Sequence, residues 1–146
     1  MHIRVMTIAD YDAVYALWRC TPGMGLNTAD DSREGIAAFL RRNPHTCFVA
    51  EINGEVIGAI LSGHDGRRGF IYHTAVAESA RRSGVGTLLV ETALEALRAE
   101  GIRKVALVVF KRNEKGNVFW EKLGFTVRED LAYRNIALAE MERIDT

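Results

Sequence analysis

Arg81-Arg82-Ser83-Gly84-Val85-Gly86-Thr87 stands between a stretch with the character of a strand and a stretch with the character of a helix. Downstream, Val85, Leu88, Leu89, Thr92, Ala93, Ala96 and Leu97 recur at i, i+3, i+4, i+7, i+8, i+11 and i+12. That is one face of an amphipathic helix. Upstream, residues 70–76 are rich in aromatic and β-preferring side chains. Two glycines and two arginines therefore fall where a helix begins. Unpaired N–H groups and the positive end of the helix dipole make such a place an anion site. Which anion it takes depends on what surrounds it.

Before this stretch the chain reads as an antiparallel meander. Residues 46–52 and 55–61 flank Asn53-Gly54, the strongest short hairpin signal, because both turn positions need positive φ. Asp65-Gly66 suits a second tight hairpin leading into residues 70–76. A two-residue turn there pairs His73 with Gly58 and Tyr72 with Ala59, small partners that leave space beside larger side chains. Further upstream, residues 2–6 predict a short strand. Thr7 and Asp10 predict a capping box for a helix over 8–19, with Ile8, Tyr11, Val14, Tyr15 and Trp18 at helical spacing. Those aromatics read as core, or as the lining of a pocket. Pro22, Gly23 and Gly25 break that helix. A second helix begins at Ser32 and stops near Asn43, ahead of Pro44. Residues 21–30 either shape a substrate pocket or form a plain surface loop.

After the glycine stretch, the helix ends at Gly101. Residues 104–110 are apolar on both faces, as a strand covered on both sides is. Strand, helix, strand in this order implies a right-handed parallel crossover. A short helix follows over 114–123, then a predicted strand pair over 125–128 and 133–141. No repeat or low-complexity linker divides the chain, so residues 1–146 read as a single α+β domain.

Nineteen basic residues balance nineteen acidic ones, which argues against non-specific nucleic-acid binding. No apolar run approaches the roughly 18 residues of a membrane span, and Met1-His2-Ile3-Arg4-Val5 lacks the apolar core of a signal peptide. A cytoplasmic protein that meets neither membrane nor nucleic acid is the expectation. Cys20 and Cys47 fit no CxxC pattern and read as free thiols. His2, His45, His64 and His73 show no metal-ligand spacing, so no metal is expected.

Two familiar phosphate loops do not fit. A dinucleotide fingerprint wants G-x-G-x-x-G after the first strand of a βαβ repeat, but Leu89 replaces the third glycine and three antiparallel strands come first. A P-loop wants a lysine after its glycines, and none follows. What remains is Arg-x-x-Gly-x-Gly at the head of a helix. It resembles motif A of the GNAT family of N-acetyltransferases, where this loop cradles the pyrophosphate of acetyl-coenzyme A. Asn113-Glu114-Lys115-Gly116-Asn117-Val118-Phe119-Trp120-Glu121-Lys122-Leu123-Gly124-Phe125 resembles the family's motif B and falls after the strand that follows motif A. Gly63-His64-Asp65-Gly66-Arg67-Arg68-Gly69 is similar to a turn of small single-domain bacterial members.

The resemblance implies a GNAT fold: a mixed, mostly antiparallel sheet of about six or seven strands with about four helices. One central parallel strand pair would splay to admit the cofactor. It implies that Arg81, Arg82, Ser83, Gly84, Val85, Gly86 and Thr87 surround the pyrophosphate, with Gly84 and Gly86 letting backbone approach its oxygens. Backbone groups of Ala75 and Val76 would pair with the pantetheine arm, and a Val76 N–H would face the developing oxyanion. Asn113 would bind the same arm, Gly116 would bring the short helix close to the cofactor, and Phe119 would lie near the thioester.

The catalytic groups depart from the family pattern. Trp120 stands where many members carry a tyrosine acid, and an indole N–H cannot act as an acid at neutral pH. Phe70 stands where some carry a glutamate base. Tyr72 and His73 are the polar candidates on that strand, and strict alternation lets only one face the cleft. Glu51 and Asp65 are weaker options, and a water chain is another. The implied activity is direct transfer of acetyl from acetyl-coenzyme A to a primary amine in a ternary complex, with neither cysteine as nucleophile. The acceptor would be a small-molecule amine or a peptide N-terminus. Alternatives are a non-catalytic acyl-coenzyme A sensor and an acyltransferase using another acyl group. A homodimer is expected only by analogy with relatives.

Overall fold

The period-two stretches of the sequence become strands and its 3.6-period stretches become helices. The computed structural model describes residues 1–146. In chain order the elements are β1 (His2–Val5), α1 (Tyr11–Arg19), β2 (Leu26–Asn27), α2 (Arg33–Arg42), β3 (Phe48–Ile52), β4 (Glu55–His64), β5 (Gly69–Val76), α3 (Val85–Ala99), β6 (Val105–Leu107), α4 (Glu114–Lys122) and β7 (Arg143–Ile144). The main sheet runs β1-β3-β4-β5-β6, antiparallel except for the β5–β6 pair. β2 and β7 form a separate two-stranded sheet. No helix is long and apolar enough to cross a membrane.

Each face of the main sheet carries its own core. Met6, Val14, Leu17, Trp18 and Ile36 pack on Val49, Ala59, Leu61 and Ala75 from the α1–α2 side. Val85, Leu89, Val90 and Ala93 of α3 pack on Ile57, Ile60 and Ile71 from the other. Full burial of one such leucine contributes about 2 kcal/mol. Gly58 lets α3 lie close to the sheet, because a Cβ there would stand 3.0 Å from Leu89 Cδ1 and 3.2 Å from Val85 Cγ1.

Three expectations are corrected. Asp65-Gly66 is not a two-residue turn. Asp65 Oδ1 accepts the N–H groups of both Arg67 and Arg68 at 2.8 Å, which closes a four-residue loop and pairs His64 with Gly69. Gly58 then pairs with Val76, and Ala59 with Ala75, each three residues beyond the predicted partner, His73 and Tyr72 respectively. Next, the register shifts between Ile60↔Thr74 and Ser62↔Ile71, so Tyr72 and His73 both oppose Leu61 across a β-bulge. Finally, residues 125–128 and 133–141 do not pair. Residues 126–142 are exposed. The chain end is held instead against β2: Thr28 N–H donates to Glu142 O at 2.9 Å, and Arg143–Ile144 pairs with Leu26–Asn27. The seven strands are therefore divided five and two, and β6 ends the main sheet.

A polar cluster ties the first strand to the first helix. Arg4 reaches Asp10 bidentately, Nη1 to Oδ2 at 2.9 Å and Nη2 to Oδ1 at 2.8 Å, and meets Glu51 at 3.3 Å. Asp10 also accepts the Thr7 N–H at 2.9 Å, as the predicted capping box requires, and both halves of the box are present. The Arg4 guanidinium holds the Asp10 carboxyl below its usual value, against the opposing effect of burial. A depressed pKa contributes stability above the unfolded value and loses it as pH falls through the folded one. Asp10→Asn is therefore expected to cost about 2 kcal/mol at neutral pH. The gap between variant and wild type should shrink as pH drops below about 4. Urea unfolding at neutral and acid pH measures both; an equal gap at the two pH values would refute the assignment.

The cysteines stay apart. Cys20 is exposed and Cys47 buried, both as free thiols. Burial pushes the Cys47 thiol up to about 12, so it is inert as a nucleophile.

Candidate active site

Parallel pairing of β5 and β6 covers only Gly69↔Val105, Phe70↔Ala106 and Ile71↔Leu107. Beyond Ile71 the two strands part, and residues 72–76 face residues 108–110 across an opening. In antiparallel ladders, backbone groups of alternate residues point to one neighbour. Ala77 N–H donates to Ile57 O at 2.8 Å, so the register directs the backbone of Ala75 to Ala59 of β4. Thr74 and Val76 point to the opening instead. The Ala75 backbone, expected to pair with the arm, is thus directed to β4, while that of Val76 points to the opening. The Thr74 hydroxyl is buried with no hydrogen-bond partner.

The motif A turn begins where β5 ends. A short 3-10 turn over Glu78–Ala80 leads to Arg81, whose Nε donates to Val76 O at 3.0 Å. Arg82 has φ +64°, and Gly84, at the N-cap of α3, has φ +84°. The Ser83 hydroxyl donates to Ala80 O. The first intrahelical bond runs from Leu88 N–H to Gly84 O at 3.0 Å, so the N–H groups of Val85, Gly86 and Thr87 have no carbonyl within the helix. A Cβ on Gly84 would meet nothing within 4 Å, which leaves open space in front of the turn. Gly86 is different: its missing Cβ faces the Phe119 ring at 3.3 Å and Val76 Cγ2 at 3.6 Å. Gly86 thus lets α3 lie close against α4 and β5.

Motif B supplies the other wall. Asn113 caps α4, its Oδ1 accepting Gly116 N–H at 2.9 Å. A Cβ on Gly116 would lie 2.5 Å from Asn113 Nδ2, so this glycine makes room for the asparagine amide. Trp120 is locked in an aromatic ladder, edge-on to Phe119 at 5.0 Å and to Phe125 at 5.2 Å. Packing accounts for that tryptophan. A cavity of about 370 Å³ opens between Pro22, Gly23, Phe110, Arg112, Asn113 and Lys115. The 21–30 loop therefore does border a pocket, and Gly25 lies against the Phe110 ring.

The bulge decides the catalytic candidates. Tyr72 meets Phe39 of α2 edge-on at 5.5 Å and lies tilted against Phe70 at 4.7 Å, on the α1–α2 face. Burial, with help from Asp30 and Tyr133, raises its phenol pKa. His73 lies on that same face, edge-on to Trp18 at 4.8 Å, with Nε2 2.7 Å from Asp31 Oδ1. The expectation that only one of the two could face this side is thus overturned. Asp31, the buried partner of His73, is not among the residues that the sequence singles out. The density of turn formers in Asn27-Thr28-Ala29-Asp30-Asp31-Ser32 is the one local signal that marked it. Glu51 is engaged by Arg4 and Asp65 by its own loop, which removes both from the candidates.

The sequence profile of the acetyltransferase (GNAT) family matches residues 11–125. The chain belongs to the GNAT acetyltransferase family. An acetyltransferase of Photorhabdus laumondii is 35% identical over 129 residues, covering 88% of each chain. One of Pectobacterium atrosepticum is 33% identical over 126 residues, 86% of this chain and 87% of the relative. Among solved structures, Ard1 of Thermoplasma volcanium superposes with a TM-score of 0.77 at 26% identity, covering 87% of this chain and 83% of that one. The GNAT frame accounts for the splayed strand pair beside a glycine-bearing helix start.

Proposed function

We propose that this GNAT chain is a single-domain, acetyl-coenzyme A-dependent N-acetyltransferase that transfers acetyl directly to a primary amine. The observation that carries the reading is a juxtaposition. The N–H groups of Val85, Gly86 and Thr87 open onto free space at Gly84, beside the backbone of Thr74 and Val76 that the β4 register turns away from β4 where β5 leaves β6. A pyrophosphate suits the turn, and an extended amide-bearing arm suits the strand edge. Arg82 adds charge at the turn, and the Asn113 amide nitrogen and Phe119 lie along the arm's course. The acceptor is a small amine or a peptide N-terminus that approaches past the 21–30 loop.

Thermal shift with acetyl-coenzyme A and thiol release against spermidine, kanamycin and a peptide with a free N-terminus test the reading. Stabilisation together with turnover of one amine is the expected result. Stabilisation with no turnover would favour an acyl-coenzyme A sensor, and no stabilisation would sink the cofactor assignment. Gly84→Val is expected to weaken acetyl-coenzyme A binding at least about tenfold, because a β-branched residue at positive φ costs roughly 1–2 kcal/mol and fills the open space. Calorimetric titration reads this directly; wild-type affinity in the variant would place the anion elsewhere.

A further inference from the structure

Asp31 is a carboxylate in a loop, only 3% exposed. Buried carboxylates need donors. This one has two: Asn27 N–H at 2.9 Å on Oδ2 and His73 Nε2 at 2.7 Å on Oδ1. The loop itself is fixed, since Tyr11 OH donates to Asp31 O at 2.6 Å and Asn27 Oδ1 accepts the N–H groups of Ala29 and Asp30. A carboxylate can only accept, so the hydrogen of the contact resides on His73 Nε2. In its neutral form the ring then presents Nδ1 as a lone pair. Trp18 packs edge-on against the imidazole and restrains its rotation. The bulge places His73 just past Ile71, the last β5 residue paired with β6, at the apex of the opening.

Resting on the acetyltransferase reading above, we propose that Asp31 is the positioning residue of an Asp31–His73 pair whose Nδ1 takes a proton from the acceptor ammonium. Loss of that proton gives the nitrogen its lone pair. The nitrogen attacks the thioester carbonyl carbon; the C–N bond forms and the C–S bond breaks. A second nitrogen proton ends on the departing sulfur, and the proton held by His73 returns to solvent. Ammonium and thioester thus become amide, thiol and one released proton. Asp31 acts by fixing the tautomer and by stabilising the imidazolium.

Asp31→Asn separates this role from a structural one. Its amide oxygen can still accept Asn27 N–H, while its NH₂ donates to His73 Nε2 and moves the ring hydrogen to Nδ1. Long-range ¹H–¹⁵N spectra of the labelled protein should show Nε2–H in wild type and Nδ1–H in the variant. Thiol release with whichever of spermidine, kanamycin or the peptide is consumed should fall about 10²-fold or more in kcat, with the KM for acetyl-coenzyme A unchanged. His73→Gln should fall as far, and the double variant no further. An Nδ1–H tautomer in wild type overturns the proposal. So does a variant with the swapped tautomer and kcat within about threefold of wild type. Should Asp31→Asn fail to fold, the wild-type spectrum and His73→Gln decide, and full activity in the latter overturns the pair. A wild-type protein that consumes none of the amines sinks the acetyltransferase reading and the pair with it; wild-type turnover with an unaffected His73→Gln sinks the pair alone.

Discussion

Gly35→Ala will destabilise the protein by about 3 kcal/mol or more, although it adds one methyl group to a helix. A Cβ at this position would stand 2.4 Å from the carbonyl oxygens of both Ala29 and Asp30, and 2.8 Å from the Asp30 carbonyl carbon. Those are backbone atoms, so no rotamer change relieves the contact. Nor can the backbone shift freely. Gly35 N–H donates to the Ser32 cap at 3.0 Å, and the Asn27 side chain holds the N–H groups of Ala29 and Asp30 at 2.9 and 2.7 Å. Helix propensity, which favours alanine over glycine by about 1 kcal/mol, is overwhelmed. Gly58→Ala offers the contrast. Its Cβ would meet side-chain atoms, Leu89 Cδ1 at 3.0 Å and Val85 Cγ1 at 3.2 Å, which shift more readily than backbone, and about 1 kcal/mol is expected. Urea unfolding of the two variants checks the order; a loss below about 1 kcal/mol for Gly35→Ala would show that the loop yields.

Trp18→Ala is expected to cost about 4 kcal/mol, a large share of the roughly 5–15 kcal/mol by which a domain is stable. The side chain is fully buried in the core between α1 and the sheet. Its deletion leaves a cavity beside Val49, Ala59 and Ala75 that backbone elements cannot collapse to fill. Trp18→Phe should cost less than about 1.5 kcal/mol. The indole Nε1 is buried without a hydrogen-bond partner, so phenylalanine removes an orphan donor while keeping most of the volume. Equal losses in the two variants would mean that the indole nitrogen contributes where the structure gives it no partner.

How much of this was legible depended on whether the signal was local. Asn53-Gly54 fixed its hairpin, with φ of +51° and +79°, because two residues supply everything the turn needs. Ser32 and Asn43 bounded α2 for the same reason. Asp65-Gly66 carried the same kind of signal and misled, because the Asp65 side chain found two more backbone donors downstream. The bulge left no mark in the sequence. It results from reconciling that four-residue loop with the pairing required at Ala59 and Ala75. Asp31 was hidden for another reason: its partner is 42 residues away, and burial of a loop carboxylate depends on the whole α1–α2 layer. Motifs A and B fall on the two walls of the opening. They did not foretell that Gly86 and Gly116 serve the protein's own side chains. The apolar residues of 125–141 suggested strands, but the chain end went to β2.

The bulge at Tyr72 and His73 is, in the chain's own terms, a one-residue insertion. Removing one residue between Ile71 and Thr74 would restore a regular ladder without altering the strand's ends. Only one of the two side chains could then remain beside Trp18 and Phe39. The pairing of an aromatic and an imidazole on one side of this sheet therefore depends on residue number as well as residue type. A scan of point substitutions would miss that dependence, and a single-codon deletion would expose it.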